Sequence, residues 1–159
     1  MNAADILKYG HLTVLGSIEE LPNSEWETPN VCGVWSSKQI IAHLTSFEHV
    51  LNDVLNTFLG QEPGPTIRRF SESPPLFNDV EVASRQAKTA DEILYEYADW
   101  YTRNVLLLAE VPAGMSSKVG TLPWYGNEYS LDDFIVYTFY GHKREHTAQI
   151  NVFKDVLGL

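Results

Sequence analysis

Apolar residues recur along much of this chain at alternating steps of three and four, the spacing of one face of an α-helix. The clearest example covers residues 37–59. Its apolar seam consists of Ile40, Leu44, Phe47, Leu51, Val54 and Phe58. Similar segments begin near Ala90 and near Leu131, and a less regular one covers residues 3–20. Because this alternating step is typical of helices packed side by side, the pattern predicts four helices in a bundle.

Each predicted helix is preceded by residues that favour a helix start. Residues 36–39 (Ser-Ser-Lys-Gln) and 89–92 (Thr-Ala-Asp-Glu) match the capping box. In that motif the first side chain bonds a free backbone amide and the fourth reaches back to the start. Residues 130–133 form a weaker version, with acidic side chains that suit the positive end of the helix dipole. Residues 2–5 (Asn-Ala-Ala-Asp) resemble a capped start, so all four segments have one.

Two long connections separate the predicted helices. Residues 60–76 contain four prolines and two glycines, so we predict no regular helix there, followed by a short helix at residues 77–86. This segment is long enough to cross the bundle and let the second and third main helices run parallel. The other connection, residues 112–129, ends in an aromatic loop at residues 124–129 that could close over a pocket or plug the bundle end. The sequence thus predicts one all-α domain over residues 1–159.

Composition and charge argue against several classes of function. The formal net charge of -10 and the pI near 4.8 argue against nucleic acid and anionic membranes as partners. The lone Cys32 excludes an internal disulfide framework and a cysteine-rich zinc site, and it fits a reducing compartment. The N-terminus lacks the pattern of a signal peptide, and the longest aliphatic run, residues 105–109, is too short to span a bilayer. We therefore predict a cytoplasmic protein.

Two histidines lie four residues apart on the fourth predicted helix. They occupy positions of its seam where buried apolar residues are expected. Counting about 100° per residue from Ile135, His142 falls about 20° to one side and His146 about 20° to the other. Side chains at this spacing point the same way and can share one metal ion. Burying two polar rings costs free energy unless something bonds them, and a divalent ion would do so.

His43 is a third candidate ligand by the same angular count. On the second predicted helix His43 lies about 60° from the seam, whereas His49 lies about 180° away and is predicted to face solvent. His43, His142 and His146 could together form a site with open positions, which is typical of a catalytic metal. The alternative is that they are core histidines bonded to tyrosines or backbone carbonyls. His11 could also face inward, with no role assigned to it.

Residues 142–146 also match the H-x-x-E-H string of one class of zinc peptidases. Such enzymes need a further acidic ligand downstream, and Asp155 is the only acid among the 13 residues after His146. Glu145 falls about 80° from the seam reference, so it need not point at the ion. We therefore predict no peptidase, and a flanking or imidazole-orienting role for Glu145.

The residues around the three histidines also carry a family resemblance. They are Trp35-Ser36 at a helix start, Ile40-Ile41-Ala42-His43-Leu44, and Gly141-His142-x-x-x-His146-Thr147-Ala148-Gln149-Ile150. This pattern resembles the DinB-like superfamily, which includes the YfiT-type proteins. The resemblance covers nearly the whole chain in element order. It implies a four-helix bundle of up-down-down-up order, with a long crossover between the second and third helices.

The resemblance also implies chemistry. It implies a divalent metal ion, zinc or nickel, held by His43, His142 and His146, and a homodimer. Some members transfer low-molecular-weight thiols to electrophiles and others are described as metal-dependent hydrolases. We therefore expect a metal-dependent thiol S-transferase, with a low-molecular-weight thiol as co-substrate, or a related hydrolase, acting on a small molecule. The alternative is a non-catalytic bundle that binds a metal or a partner protein.

Four polar residues are candidates for contacts with such a substrate. Arg68, Arg69 and Arg144 could anchor the carboxylates of a thiol, or could be ordinary surface arginines. Gln149 falls about 40° from the seam reference, one turn past the histidine pair. It could bond a ligand or a metal-bound water, or merely line the bundle. Gln149, Glu145 and Arg144 could also support the histidines from behind.

Overall fold

The computed structural model of the chain describes residues 2–159, and its regular elements are helices. The helices are α1 (Ala3–Ile18), α2 (Ser37–Phe58), α3 (Pro65–Glu72), α4 (Pro74–Ser84), α5 (Ala90–Glu110), α6 (Leu131–Val136) and α7 (His142–Leu157). One π-helical turn, Tyr137–Gly141, joins α6 to α7, so the last two helices form one interrupted rod. The all-α prediction is confirmed. Among residues 2–159, none of the helices is long and apolar enough to cross a membrane.

The predicted helix starts are confirmed by their caps. Ser36 and Gln39 bond each other's backbone amides at the start of α2, and Thr89 and Glu92 do the same at the start of α5. Asn2 accepts hydrogen bonds from the first free amides of α1. Satisfying these amides fixes where each helix begins, because they have no partner inside the helix.

Contacts between the long helices give their relative directions. Along α2 and α5, His49 bonds Glu96 and, further on, Asn52 bonds Asn104, so these two helices run parallel. The side chain of Lys154 near the end of α7 likewise reaches the carbonyl just after the end of α1, so α1 and α7 run parallel. Parallel neighbours need a connection that returns across the bundle. The segment between α2 and α5 is that crossover.

The crossover contains two helices, so the prediction that residues 60–76 hold no regular helix is wrong. α3 begins at Pro65 and α4 begins at Pro74. Proline is compatible with the first turn of a helix, because its missing amide would lack a partner there and its fixed φ suits the helix. The short helix predicted at residues 77–86 exists, but it begins three residues earlier and ends at Ser84.

The crossover is fastened to the bundle by hydrogen bonds from α2. The Asp53 carboxylate accepts hydrogen bonds from the amides of Thr66 at 2.8 Å and Ile67 at 3.1 Å, so it caps α3 from a neighbouring helix. Gly64 leaves the room for this contact, since a Cβ there would lie 2.3 Å from the Asp53 carboxylate.

A chain of ion pairs ties the crossover to α5. The Glu81 carboxylate accepts from Arg69 and from Arg85, and Arg85 reaches on to Glu96. Glu96 also accepts from Lys88, and these partners hold the pKa of its carboxyl well below the usual range despite partial burial. Arg69, one of the candidate substrate anchors, is therefore already paired with Glu81.

The prediction that His49 faces solvent is wrong. Its side chain is only 21% exposed, its Nε2 lies 2.8 Å from Glu96 Oε1, and its ring lies 3.9 Å from that of Trp100. The physical reason is that α5 packs along this side of α2, so a position opposite the apolar seam is covered by a second neighbour.

At Gly10, α1 packs tightly against the π-helical turn. A Cβ at this position would lie 1.9 Å from the carbonyl oxygen of Phe139 in the π-helical turn. We expect Gly10→Ala to lower the free energy of unfolding by about 1–3 kcal/mol, because α1 must move away from that turn. Urea denaturation would measure it.

A matched control exists on the same helix. A Cβ at Gly16 meets no atom within 4 Å, so Gly16→Ala should instead stabilise the protein by up to about 1 kcal/mol through helix propensity. Equal effects of the two substitutions would contradict the close contact.

Candidate metal centre

Three imidazoles from two helices converge on one point. Nε2 of His142 lies 3.0 Å from Nε2 of His43 and 3.0 Å from Nε2 of His146. One ligand atom from each ring lies within 4.8 Å of the others. His43 comes from α2, whereas His142 and His146 occupy successive turns of α7 and therefore point the same way. The structure thus brings together all three histidines that were singled out from the sequence.

Burial keeps these imidazoles neutral. Removal from water, and next the neighbouring imidazoles, lower the pKa of His43 to about 2. Burial, followed by the nearby His146 and Lys143, lowers the pKa of His142 to about 4. Burial also lowers the pKa of His146, although the hydrogen bond that this ring donates to Gln149 acts in the opposite direction. Each ring is therefore neutral at neutral pH and has one nitrogen with a free lone pair, which is the form that binds a metal.

The geometry and the donor set fit a single divalent ion. Bonds of about 2.0–2.1 Å from an ion to imidazole nitrogen can span nitrogens 3.0 Å apart. Within residues 2–159, Nδ1 of His43 is buried without a hydrogen-bond partner, and the ring's one side-chain hydrogen bond is with His142. A buried polar ring with so little bonding costs free energy, and a shared ion would offset that cost. The three histidines could therefore hold a divalent ion.

Comparison with known proteins agrees with this arrangement. The profile of the DinB superfamily matches residues 12–150, which include all three histidines. The chain belongs to the DinB superfamily. No curated protein and no solved structure is significantly similar to it.

One imidazole of this DinB-superfamily protein is held by a side-chain amide. Nδ1 of His146 lies 2.8 Å from Oε1 of Gln149, which can only accept a hydrogen bond. The proton of His146 is therefore on Nδ1, and the lone pair is on Nε2, facing the other two rings. Gln149 thus supports one of the imidazoles, and a bond from its amide to a ligand or a metal-bound water remains a prediction.

We expect Gln149→Ala to weaken binding of zinc by about 10–100-fold, because His146 loses the partner that fixes its tautomer and orientation. Gln149→Glu keeps an acceptor at this position and should retain most of the affinity. Competition titration against a chromophoric chelator would measure both. Equal losses in the two variants would show that the hydrogen bond does not orient the ring.

The other polar candidates lie apart from the imidazoles. Glu145 is exposed and is absent from the cluster, although its carboxylate acts at longer range to raise the pKa of His146. Arg144 is exposed and its guanidinium lies 5.3 Å from the centre of the Tyr140 ring. Arg68 is exposed, and Arg69 is bonded to Glu81. The contacts of these side chains do not include the three histidines.

Aromatic side chains surround the imidazoles on the α2 side. The ring of Trp35 lies 5.0 Å from that of His43, and Phe47 lies 5.0 Å from His43 and 4.8 Å from His142. Phe70 from α3 packs behind Phe47 at 5.6 Å. These rings keep water away from one side of the centre.

The aromatic loop at residues 124–129 connects this shell to the end of the bundle. The ring of Trp124 lies 5.8 Å from Phe70 and 5.3 Å from Phe134 in the core. Tyr125 also packs on Phe134, at 5.1 Å. These contacts pack the loop against the core, and Trp124 also lines a cavity beside α3, so both roles considered for the loop remain predictions.

His11 lies on α1, and its ring packs against α5 instead of joining the three-histidine cluster. Its ring stacks on Tyr101 with centres 3.7 Å apart, and burial, followed by Lys143, lowers its pKa to about 4. It faces inward, as its position along α1 indicated.

One buried charged pair beside the centre was not predicted from the sequence. Lys143 and Glu48 are 1% and 0% exposed and are bonded to each other. Counted at about 100° per residue, each lies about 80° from the apolar seam of its own helix, the same angle as Glu145 on α7. Only the packing of α2 against α7 shows that the two side chains are buried together.

Proposed function

We propose that this protein is a metal-dependent enzyme in which His43, His142 and His146 hold one divalent ion, zinc or nickel. The convergence of three neutral imidazoles supports this proposal. Three protein ligands leave coordination positions open, as in catalytic rather than structural zinc sites. An ion held there would supply a Lewis acid that lowers the pKa of a small molecule bound beside the imidazoles.

The residues around the centre favour a thiol over water as that molecule. Metal-dependent hydrolases commonly use a carboxylate as general base to take a proton from water. In the described residues, 2–159, the cluster contains three histidines and no carboxylate. A thiol needs less help, since its ordinary pKa is about 8.5. We therefore propose a thiol S-transferase and regard a hydrolase as the second choice.

The proposed reaction is a simple displacement. The thiol sulfur forms a bond to an electrophilic carbon, the leaving group departs with the bonding electron pair, and the thiol proton goes to solvent. The protein orients the reactants, and the rings of Trp35 and Phe47 exclude water from one side. A water-poor site strengthens the electrostatic interactions that stabilise a thiolate.

A rate measurement tests this proposal. Zinc-loaded or nickel-loaded protein is mixed with a panel of low-molecular-weight thiols and a generic aryl halide electrophile, and consumption of the electrophile is followed. We expect a rate above background that needs both thiol and metal and is absent in His43→Ala. Equal rates in the two proteins, for all thiols tested, would instead favour a non-catalytic metal-binding bundle.

A further inference from the structure

A buried ion pair joins the same two helices that supply the histidines. Glu48 follows His43 by five residues on α2, and Lys143 lies between His142 and His146 on α7. The Lys143 ammonium donates to Oε1 of Glu48, and both side chains are almost wholly excluded from solvent. The pair therefore spans the α2–α7 interface beside the imidazoles.

Further hydrogen bonds fix the position of this pair. Oε2 of Glu48 accepts from Nδ2 of Asn104 on α5 at 2.8 Å. Oδ1 of Asn104 in turn accepts from Nδ2 of Asn52 on α2 at 3.1 Å. The Lys143 ammonium lies 5.1 Å from the centre of the Tyr97 ring, within the range of a cation–π contact. Both carboxylate oxygens are thus bonded, and neither helix can slide without breaking one of these contacts.

Stability alone is a weak reason for such a pair. Removing two charges from water is costly, and replacing a buried ion pair by apolar side chains of similar volume is often neutral or stabilising. What a buried ion pair can supply is a single alignment, because the charges meet at only one relative position of the helices. This matters at the α2–α7 interface, since these two helices contact each other over a short stretch.

We propose that Glu48 and Lys143 are positioning residues that align His43 on α2 with His142 and His146 on α7 before an ion binds. The inference rests on the proposed metal site and extends it. Because three nitrogens from two helices must meet around one ion, a shift of α7 along α2 separates them. The ion pair prevents that shift.

The test is a neutral replacement of the pair, Glu48→Gln with Lys143→Met. Glutamine keeps the acceptor for Asn104, and methionine keeps most of the length of the lysine. We expect affinity for zinc, measured by competition with a chromophoric chelator, to fall about 10–100-fold. The midpoint of thermal unfolding without metal should change little. Unchanged zinc affinity in the folded variant would overturn the proposal.

A second buried pair provides the control. Glu81 lies on α4 and Arg85 just after it, outside the metal cluster. Both side chains are 7% exposed. Glu81→Gln with Arg85→Met should lower stability, because Arg69 and Glu96 lose charged partners, and should leave zinc affinity unchanged. An equal loss of affinity in both double variants would contradict a specific role for Glu48 and Lys143.

Two further measurements separate the possible failures. If the neutral pair does not fold, Glu48→Asp keeps the charge but shortens the side chain by one carbon. It should also reduce zinc affinity, and full affinity in this variant would overturn the proposal. Absence of zinc binding by the unaltered protein would refute the metal site itself and, with it, this inference.

Discussion

Protein carrying His43→Ala is expected to bind zinc more than about 100-fold more weakly than the unaltered protein. Loss of a residue that merely supports a ligand already costs about 10–100-fold. His43 is a greater loss, because it is the one member of the cluster that comes from α2. Without it the two imidazoles of α7 remain, and an ion bound there would have lost one of its three protein bonds. Competition against a chromophoric chelator measures the affinity directly.

The matched control for this substitution is His49→Ala. His49 lies six residues further along α2 and bonds Glu96 instead of another imidazole. This variant should lose some stability, because Glu96 loses a partner, and should bind zinc as tightly as the unaltered protein. If His43→Ala also kept full affinity, the ion would have to be bound elsewhere or not at all.

Zinc itself is expected to stabilise the folded protein strongly. A ligand that binds only the folded state stabilises it by about 4 kcal/mol at a free concentration a thousand times its dissociation constant. For a chain of this size that corresponds to a rise of about 10 °C in the midpoint of thermal unfolding. The rise should disappear with a chelator and should fall to about a third or less in His43→Ala. A midpoint that is independent of zinc would contradict binding to the folded protein.

Without metal, the buried imidazoles should make stability depend on pH. The pKa of His43 falls to about 2 and that of His142 to about 4 in the folded protein, from an ordinary value of 6.5. The unfolded chain therefore binds protons first as the pH falls, which favours unfolding. This contribution to stability is present above about pH 6.5 and is lost progressively below it. Urea midpoints at pH 7 and pH 5 test the sign, and His43→Ala should show a smaller difference.

Much of the bundle could be predicted from local sequence. The capping residues Ser36 and Thr89 mark helix starts through bonds made within one turn, so no knowledge of the rest of the fold is needed. The histidine pair on α7 was predictable for the same reason, since residues four apart on a helix share a side. His43 could be selected because the apolar seam of α2 is long and regular.

The errors arose where a neighbouring helix decides the outcome. His49 was assigned to solvent because a single seam defines only one buried side, whereas α2 is covered on two sides. α3 was missed because proline usually breaks a helix, although Pro65 lies in the first turn, where proline suits one. Lys143 was missed because its partner, Glu48, lies on a helix that is distant in sequence.

The metal content of the protein tests whether three histidines hold one ion. Protein purified without an affinity tag is incubated with zinc, separated from unbound zinc by gel filtration, and analysed by inductively coupled plasma mass spectrometry. We expect about one equivalent of zinc per chain, as for a single three-histidine site. Less than about a tenth of an equivalent of zinc, with the same result for nickel and cobalt, would contradict the proposed site.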